Sequence, residues 1–157
     1  MAGVFAPQPA QTDLRKELKK LRRGQARTVH FAEDQDSVKT ALLRVMRDHE
    51  VRAVVVEAPR HRTREQPRDV VLRQVARASL AYEARMITLD RDDSRVTRDN
   101  KVLFEELSKA EIQYCHRKSY EEPLLWTADA IAWAWHRDRH WRARVEEFVV
   151  DLVKADG

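Results

Sequence analysis

Residues 51–57 (VRAVVVE) constrain the fold of this chain more than any other segment. Three consecutive valines, with no alternation of polar and apolar residues, are typical of a strand buried on both faces. Such strands lie inside sheets that helices cover on both sides. The chain has only three glycines and five prolines, which argues against an all-β protein with many tight turns. We therefore expect an α/β fold.

Helical and strand patterns alternate along the chain. Apolar residues at helical spacing predict helices over 13–23, 36–49, 67–83, 99–108 and 123–136. Residues of high β-propensity predict further strands over 27–32, 85–90 and 111–116. This order predicts a single α/β domain over residues 1–157, with a central, mostly parallel sheet flanked by helices. Residues 1–11 are expected to be irregular or flexible, and residues 138–157 to form a C-terminal helical extension.

Cysteine content and hydropathy indicate the cellular compartment. The single cysteine, Cys115, cannot form an internal disulfide, which fits a reducing environment. No apolar run approaches the ~20 residues needed to cross a membrane. The first residues also lack the pattern of a secretory signal. We therefore expect a cytoplasmic protein that has no membrane partner.

Basic residues are concentrated in three blocks, and 22 of the 30 Lys and Arg residues are Arg. The blocks are residues 13–27, 58–77 and 136–144. The formal net charge of +4 is compatible with binding of nucleic acid, and Arg offers a planar fork that suits phosphate groups. The candidates for phosphate contacts are three arginines that follow the strand 51–57 and one in the last block: Arg60, Arg62, Arg64 and Arg137.

Two predicted strands end in acidic residues. Glu57 ends the strand 51–57, and Asp90 ends the strand 85–90, with Asp92 and Asp93 close behind. In a parallel sheet such residues meet at one edge, where carboxylate oxygens could hold a divalent cation. The alternative is that each carboxylate is an ordinary solvated turn residue.

Residues 121–135 (EEPLLWTADAIAWAW) form an amphipathic helical pattern. Its predicted core face holds Leu124, Leu125, Ala128, Ile131, Ala132 and Trp135. Trp126 and Trp133 lie on the opposite side, so we expect them to be exposed. They could stack on bases, but we favour contact with a partner subunit, as in a homo-oligomer or a complex with another protein. Asp129 lies at the boundary, where it either points into the strand-end crevice or pairs with a nearby arginine.

The pattern LLWTADAIAWA (residues 124–134) resembles the C-terminal helix of a widespread, uncharacterised protein family with a predicted ribonuclease H-like fold. That helix reads roughly Leu-x-x-Ala-Asp-x-x-Ala, and the resemblance extends over most of the chain. It implies a nuclease-like protein that holds Mg²⁺ or Mn²⁺ between carboxylates. Asp129 would then be the ligand from the last helix and Asp90 the ligand from a strand, with Glu57 as a further catalytic candidate.

The chain departs from that family at its start. The family usually opens with an Asp-Glu-Ser-Gly strand, which occurs nowhere in this sequence. Either the given chain starts downstream of the natural start, or this member has lost the strand and its catalytic carboxylate. Glu33 and Asp34 could contribute carboxylates instead. Two other functions therefore stay open, a catalytically inactive module that binds nucleic acid or protein, and a subunit of a larger assembly.

Overall fold

Two small sheets form the β part of the domain in the computed structural model, which describes residues 1–58 and 65–155. The first sheet has the order β1-β2-β5, with β1 at Ala2–Phe5, β2 at Arg52–Glu57 and β5 at Val149–Lys154. β1 pairs antiparallel with β2, and β5 pairs parallel with it. The second sheet contains two parallel strands, β3 (Met86–Asp90) and β4 (Gln113–Arg117).

The strands predicted near residues 51–57, 85–90 and 111–116 are therefore present, but they do not share one sheet. Both edges of β2 are occupied, by β1 and β5. With its backbone hydrogen bonds already used, β2 has no edge on which β3 could pair. The expectation of one central, mostly parallel sheet is not confirmed, whereas the single α/β domain is.

Both ends of the chain differ from their predictions for the same reason. Ala2–Phe5 was expected to be irregular, and the last residues were expected to be helical, yet each segment supplies a strand to the first sheet. Val149–Lys154 (VVDLVK) is rich in β-branched residues, and its register runs from Ala53 opposite Val149 to Glu57 opposite Lys154. A buried strand needs hydrogen-bonding neighbours on both edges, and these two segments provide them.

Six α-helices complete the domain among the described residues. They are α1 (Gln11–Lys20), α2 (Asp36–Asp48), α3 (Pro67–Ala81), α4 (Val96–Leu107), α5 (Leu124–Arg137) and α6 (Arg139–Val145). Pro67 lies in the first turn of α3, where its missing N–H costs nothing. Asp138 caps α6 by accepting a hydrogen bond of 2.9 Å from the Trp141 backbone N–H. The five predicted helices are thus confirmed to within a few residues.

Residues 27–32 contain no strand, contrary to prediction. The backbone N–H groups of Glu33 and Asp34 both donate to the carbonyl of His30, so the chain turns here. Val29 and Phe31 are nevertheless buried while His30 is exposed. The β-branched and aromatic residues of this segment are therefore buried by a turn that inserts two side chains into the core.

The core lies on both sides of β2. Ala53 and Val55 belong to a cluster that also includes residues of α1, α2, α5 and α6. Val54 and Val56 pack on the opposite face against α3. A third cluster joins α3 and α4 to the second sheet. Burial of β2 on both faces, as predicted from its valines, is confirmed.

Two ion pairs with buried carboxylates connect the start of α3 to the start of α4. Arg68 donates to both carboxylate oxygens of Asp99, at 3.0 and 2.8 Å. Arg98 donates in the opposite direction to Asp69, at 3.0 and 2.7 Å. The pairs cross between the helices, so they set the relative position of the two N-terminal ends.

Among the described residues, no helix combines the length and the apolar character that crossing a membrane requires.

Candidate functional site

Helix α5 packs against β3 as well as against β1 and β2, and this packing brings two of the predicted site residues together. Asp90 is the last residue of β3, and Asp129 lies in the first half of α5; both side chains are exposed. Although solvent reaches Asp129, the surrounding protein raises the pKa of its carboxyl by desolvation, and the negative charge of Asp90 raises it further. The two carboxylates therefore interact electrostatically across the junction of β3 and α5.

His30 is a third titratable group at this junction, and the sequence analysis did not single it out. Its charge opposes the two effects above and lowers the pKa of Asp129. The imidazole Nε2 lies 2.8 Å from the Thr28 hydroxyl, and the His30 backbone N–H donates to the Asp34 carboxylate at 2.9 Å. A polar residue between two apolar ones in RTVHFA was the available signal, since His30 is exposed between the buried Val29 and Phe31.

Glu57 has a different environment from that of the other two predicted carboxylates. It is partly buried at the end of β2, where the indole N–H of Trp135 donates to its Oε1 at 3.3 Å. The interaction ties β2 to α5. Glu57 thus has a structural partner on the same helix that carries Asp129.

The neighbouring carboxylates Asp92 and Asp93 are engaged in local contacts. The Ser94 backbone N–H and hydroxyl donate to Asp92, and these bonds lower the pKa of its carboxyl. Arg91 donates to Asp93 at 2.6 Å and lowers the pKa of that carboxyl as well. Of these three carboxylates, Asp90 at the end of β3 is the one whose charge raises the pKa of Asp129 on α5.

The donor set limits what kind of metal site these residues could form. In the described part of the chain, no group of three or more His, Cys, Asp and Glu side chains is arranged to hold a metal ion. Mg²⁺, however, is commonly held by one or two carboxylates together with water and substrate phosphates. Asp90 and Asp129 fit that kind of site, and they do not fit a closed cage of protein ligands.

Trp126 is buried and Trp133 is half-buried, so the prediction that both are exposed is wrong. Trp126 is 2 % exposed, and its indole N–H donates to the Ser119 carbonyl at 2.8 Å. Trp133 is half-buried and packs edge-on to Phe31 and Trp141. A helical wheel assumes one buried face, but α5 is covered by the sheet, by residues 27–32 and by α6.

The predicted basic residues are only partly described. Arg60, Arg62 and Arg64 lie outside the described residues. Arg137 is exposed at the end of α5, with its guanidinium carbon 5.5 Å from the centre of the Trp133 ring.

Comparisons with protein-family models, with curated proteins and with solved structures gave no match for this chain.

Proposed function

We propose that this protein is a divalent-metal-dependent phosphodiesterase of ribonuclease H-like type that acts on nucleic acid through Asp90 and Asp129. The observation that carries the proposal is the electrostatic interaction of two exposed carboxylates, one at the end of a parallel strand and one on the helix packed beside it. They are the two residues that the sequence resemblance implies as the ligand from a strand and the ligand from the helix of residues 124–134. The position of the site, at the carboxyl end of a strand, is also where ligands bind in α/β folds.

Asp90, Asp129 and His30 would have different roles in the reaction. Asp90 and Asp129 would hold Mg²⁺ or Mn²⁺, which when bound would polarise a phosphate oxygen and a water molecule. Water forms a bond to phosphorus as the bond to the leaving oxygen breaks. The attacking water must lose a proton, and the leaving oxygen must gain one. His30 is the candidate to take up the proton of the attacking water, for which its imidazole must be neutral, and solvent would supply the proton to the leaving oxygen.

A metal titration followed by thermal unfolding tests the cation site. Two mutually repelling carboxylates destabilise the fold slightly, and a cation bound between them removes that repulsion. We expect millimolar Mn²⁺ to raise the melting temperature by several degrees, roughly 5–10 °C when Mn²⁺ is at ~100 times its Kd. Asp129→Asn should abolish most of the rise, whereas Asp13→Asn on α1 should retain it. An unresponsive wild type would rule the site out.

An assay of nucleic-acid cleavage tests the proposed activity with the same three proteins. Labelled single-stranded RNA and DNA are incubated with wild type, Asp129→Asn and Asp13→Asn in Mn²⁺ and in EDTA. We expect cleavage that needs the metal and that Asp129→Asn reduces by at least 100-fold. An equal loss in Asp13→Asn would show that the effect is not local to the site.

A catalytically inactive module that binds nucleic acid is the second candidate. The observation that favours it is the carboxylate count, since two carboxylates meet at the described site and no group of three does. A metal-dependent rise in melting temperature or oligonucleotide binding, without any cleavage, would support this function over hydrolysis.

A further inference from the structure

Two groups of arginines in the described domain differ in the partners that their guanidinium groups contact. Those on α3 and α4 point at carboxylates: Arg68 at Asp99, Arg98 at Asp69, and Arg73 and Arg77 at the Glu105–Glu106 pair. These charges are neutralised inside the molecule. They belong to the interface between two helices, so they leave little positive charge for an external ligand.

The arginines at the corner of α5 and α6 lie on tryptophan rings instead. We call this set, Arg137, Arg142 and Arg144, the α5–α6 corner. Their guanidinium carbons lie 5.5 Å from the centre of Trp133, 4.0 Å from Trp135 and 4.4 Å from Trp141, respectively. In the described part of the chain, the one carboxylate within ion-pair distance of the three is Glu146, which is 3.7 Å from Arg142.

Stacking on an aromatic ring changes what an arginine can do. The ring holds the guanidinium plane in place, so less side-chain entropy is lost when a ligand binds. One N–H of Arg144 donates to the Thr40 hydroxyl at 2.7 Å, and the other edges of the three guanidinium planes can donate to a ligand. A planar fork of this kind suits the oxygens of a phosphate group.

The corner continues the exposed face that carries Asp129. His136 follows Asp129 by seven residues, which is within ~20° of two full helical turns and about 10 Å along the axis. His136 and Arg137 are both exposed, as is Asp129. The acidic residue between the two helices, Asp138, is committed to capping α6. Arg137 follows Asp129 by eight residues, about 80° around α5 and about 12 Å along its axis, so positive charge begins on an adjacent part of the α5 surface.

We propose that the α5–α6 corner binds the phosphate backbone of a nucleic acid and directs the strand along α5 toward Asp90 and Asp129. Binding of the nucleic-acid backbone is inferred from the α5–α6 corner alone. The path of the strand toward Asp90 and Asp129 rests on the proposed function. An anionic membrane is the less fitting partner, because surface helices that bind membranes insert large apolar side chains. The large apolar side chains that the described chain exposes lie elsewhere, at Leu80, Tyr82, Met86, Phe104, Tyr120, Val150 and Leu152.

Fluorescence anisotropy with labelled 20-nucleotide single-stranded RNA and DNA tests the proposal in EDTA, so that metal binding and cleavage play no part. The test variant carries Arg137→Gln, Arg142→Gln and Arg144→Gln. The control carries Lys16→Gln, Lys19→Gln and Lys20→Gln, which removes the same charge from the exposed side of α1. We expect the test variant to bind at least 10-fold more weakly at 0.1 M salt and its salt slope to fall by about 2. The control should stay within about 3-fold of wild type.

A second variant, with all three arginines changed to Lys, covers the case in which the glutamine variant fails to fold. It keeps the charge and loses the planar fork, so it should retain most of the salt slope while binding more weakly. Equal losses in the test and control proteins would overturn the proposal, and so would no binding to either oligonucleotide. Binding to phosphatidylserine vesicles in preference to oligonucleotides would overturn it in favour of a membrane. Because EDTA is present throughout, failure of the metal site would leave this result intact.

Discussion

The ring of Phe31 lies edge-on to Trp133, with the ring centres 5.5 Å apart and the planes at 65°. Phe31 is in the same way edge-on to Trp141, at 5.7 Å and 80°. The turn that carries His30 is therefore attached through its neighbour to α5 and α6. Aromatic pairs at these distances and angles are the favoured geometry, so the cluster fixes the turn beside the candidate site.

Replacing Phe31 with alanine should destabilise the domain strongly. Phe31 is fully buried, so the change leaves a cavity among aromatic rings and should lower the free energy of unfolding by about 3–5 kcal/mol. Urea denaturation measures this value. Phe104→Ala is the matched control, because Phe104 is 64 % exposed and its removal should cost about 0.5 kcal/mol or less. Similar values for the two variants would show that Phe31 is not in the core.

Trp126→Phe tests the buried position of Trp126. The substitution keeps most of the apolar volume and removes the N–H that donates to the Ser119 carbonyl. We expect a loss of about 1 kcal/mol, the usual net contribution of one hydrogen bond. In addition, acrylamide should quench the fluorescence of Trp126 poorly in a variant where the other three tryptophans are replaced by Phe. Efficient quenching would place Trp126 on the surface.

Asp99→Asn should cost more than Asp69→Asn, although both remove one carboxylate from the crossed ion pairs. The side chain of Arg68 is 29 % exposed, whereas that of Arg98 is 57 % exposed and can turn to water. Loss of the partner therefore leaves the positive charge of Arg68 less well solvated. We expect Asp99→Asn to destabilise by about 3 kcal/mol and Asp69→Asn by about 1 kcal/mol, measured by thermal and urea unfolding. Equal effects would contradict the difference in solvation.

The stability of the metal-free protein should depend on the ionisation of Asp129. Since folding raises the pKa of this carboxyl, the folded state binds the proton more tightly than the unfolded state does. The associated stability is present below the unfolded pKa and is lost as pH rises through the folded pKa. Asp129→Asn should therefore be more stable than wild type at pH 7, by about 0.5 kcal/mol given solvent screening, and no more stable near pH 3.

Melting curves in EDTA at several pH values measure that difference. Asp13→Asn serves again as the control, and it should show no comparable gain at pH 7. A gain for Asp129→Asn that persists undiminished at pH 3 would show that charge is not its cause.

Local patterns in the sequence were sufficient for most of the secondary structure. Apolar spacing predicted five helices because a helix is stabilised within its own segment and buries one stripe of residues. The valines of residues 51–57 predicted a strand with two buried faces. Successive side chains of a strand point to opposite faces, so apolar residues at successive positions indicate burial on both. The same locality explains why Asp90 and Asp129 could be nominated separately, one at a strand end and one on a helix boundary.

Only the tertiary structure decided which surfaces meet. The pairing of β2 with the first and last strands joins segments that are distant in sequence, and edge hydrogen bonds leave no local signature. Trp126 and Trp133 were assigned to the wrong environment because several elements of the fold cover α5, whereas the sequence pattern assumed one buried face. The apposition of Asp90, Asp129 and His30, and the stacking of arginines on tryptophans at the α5–α6 corner, likewise arise because packing brings separate elements together.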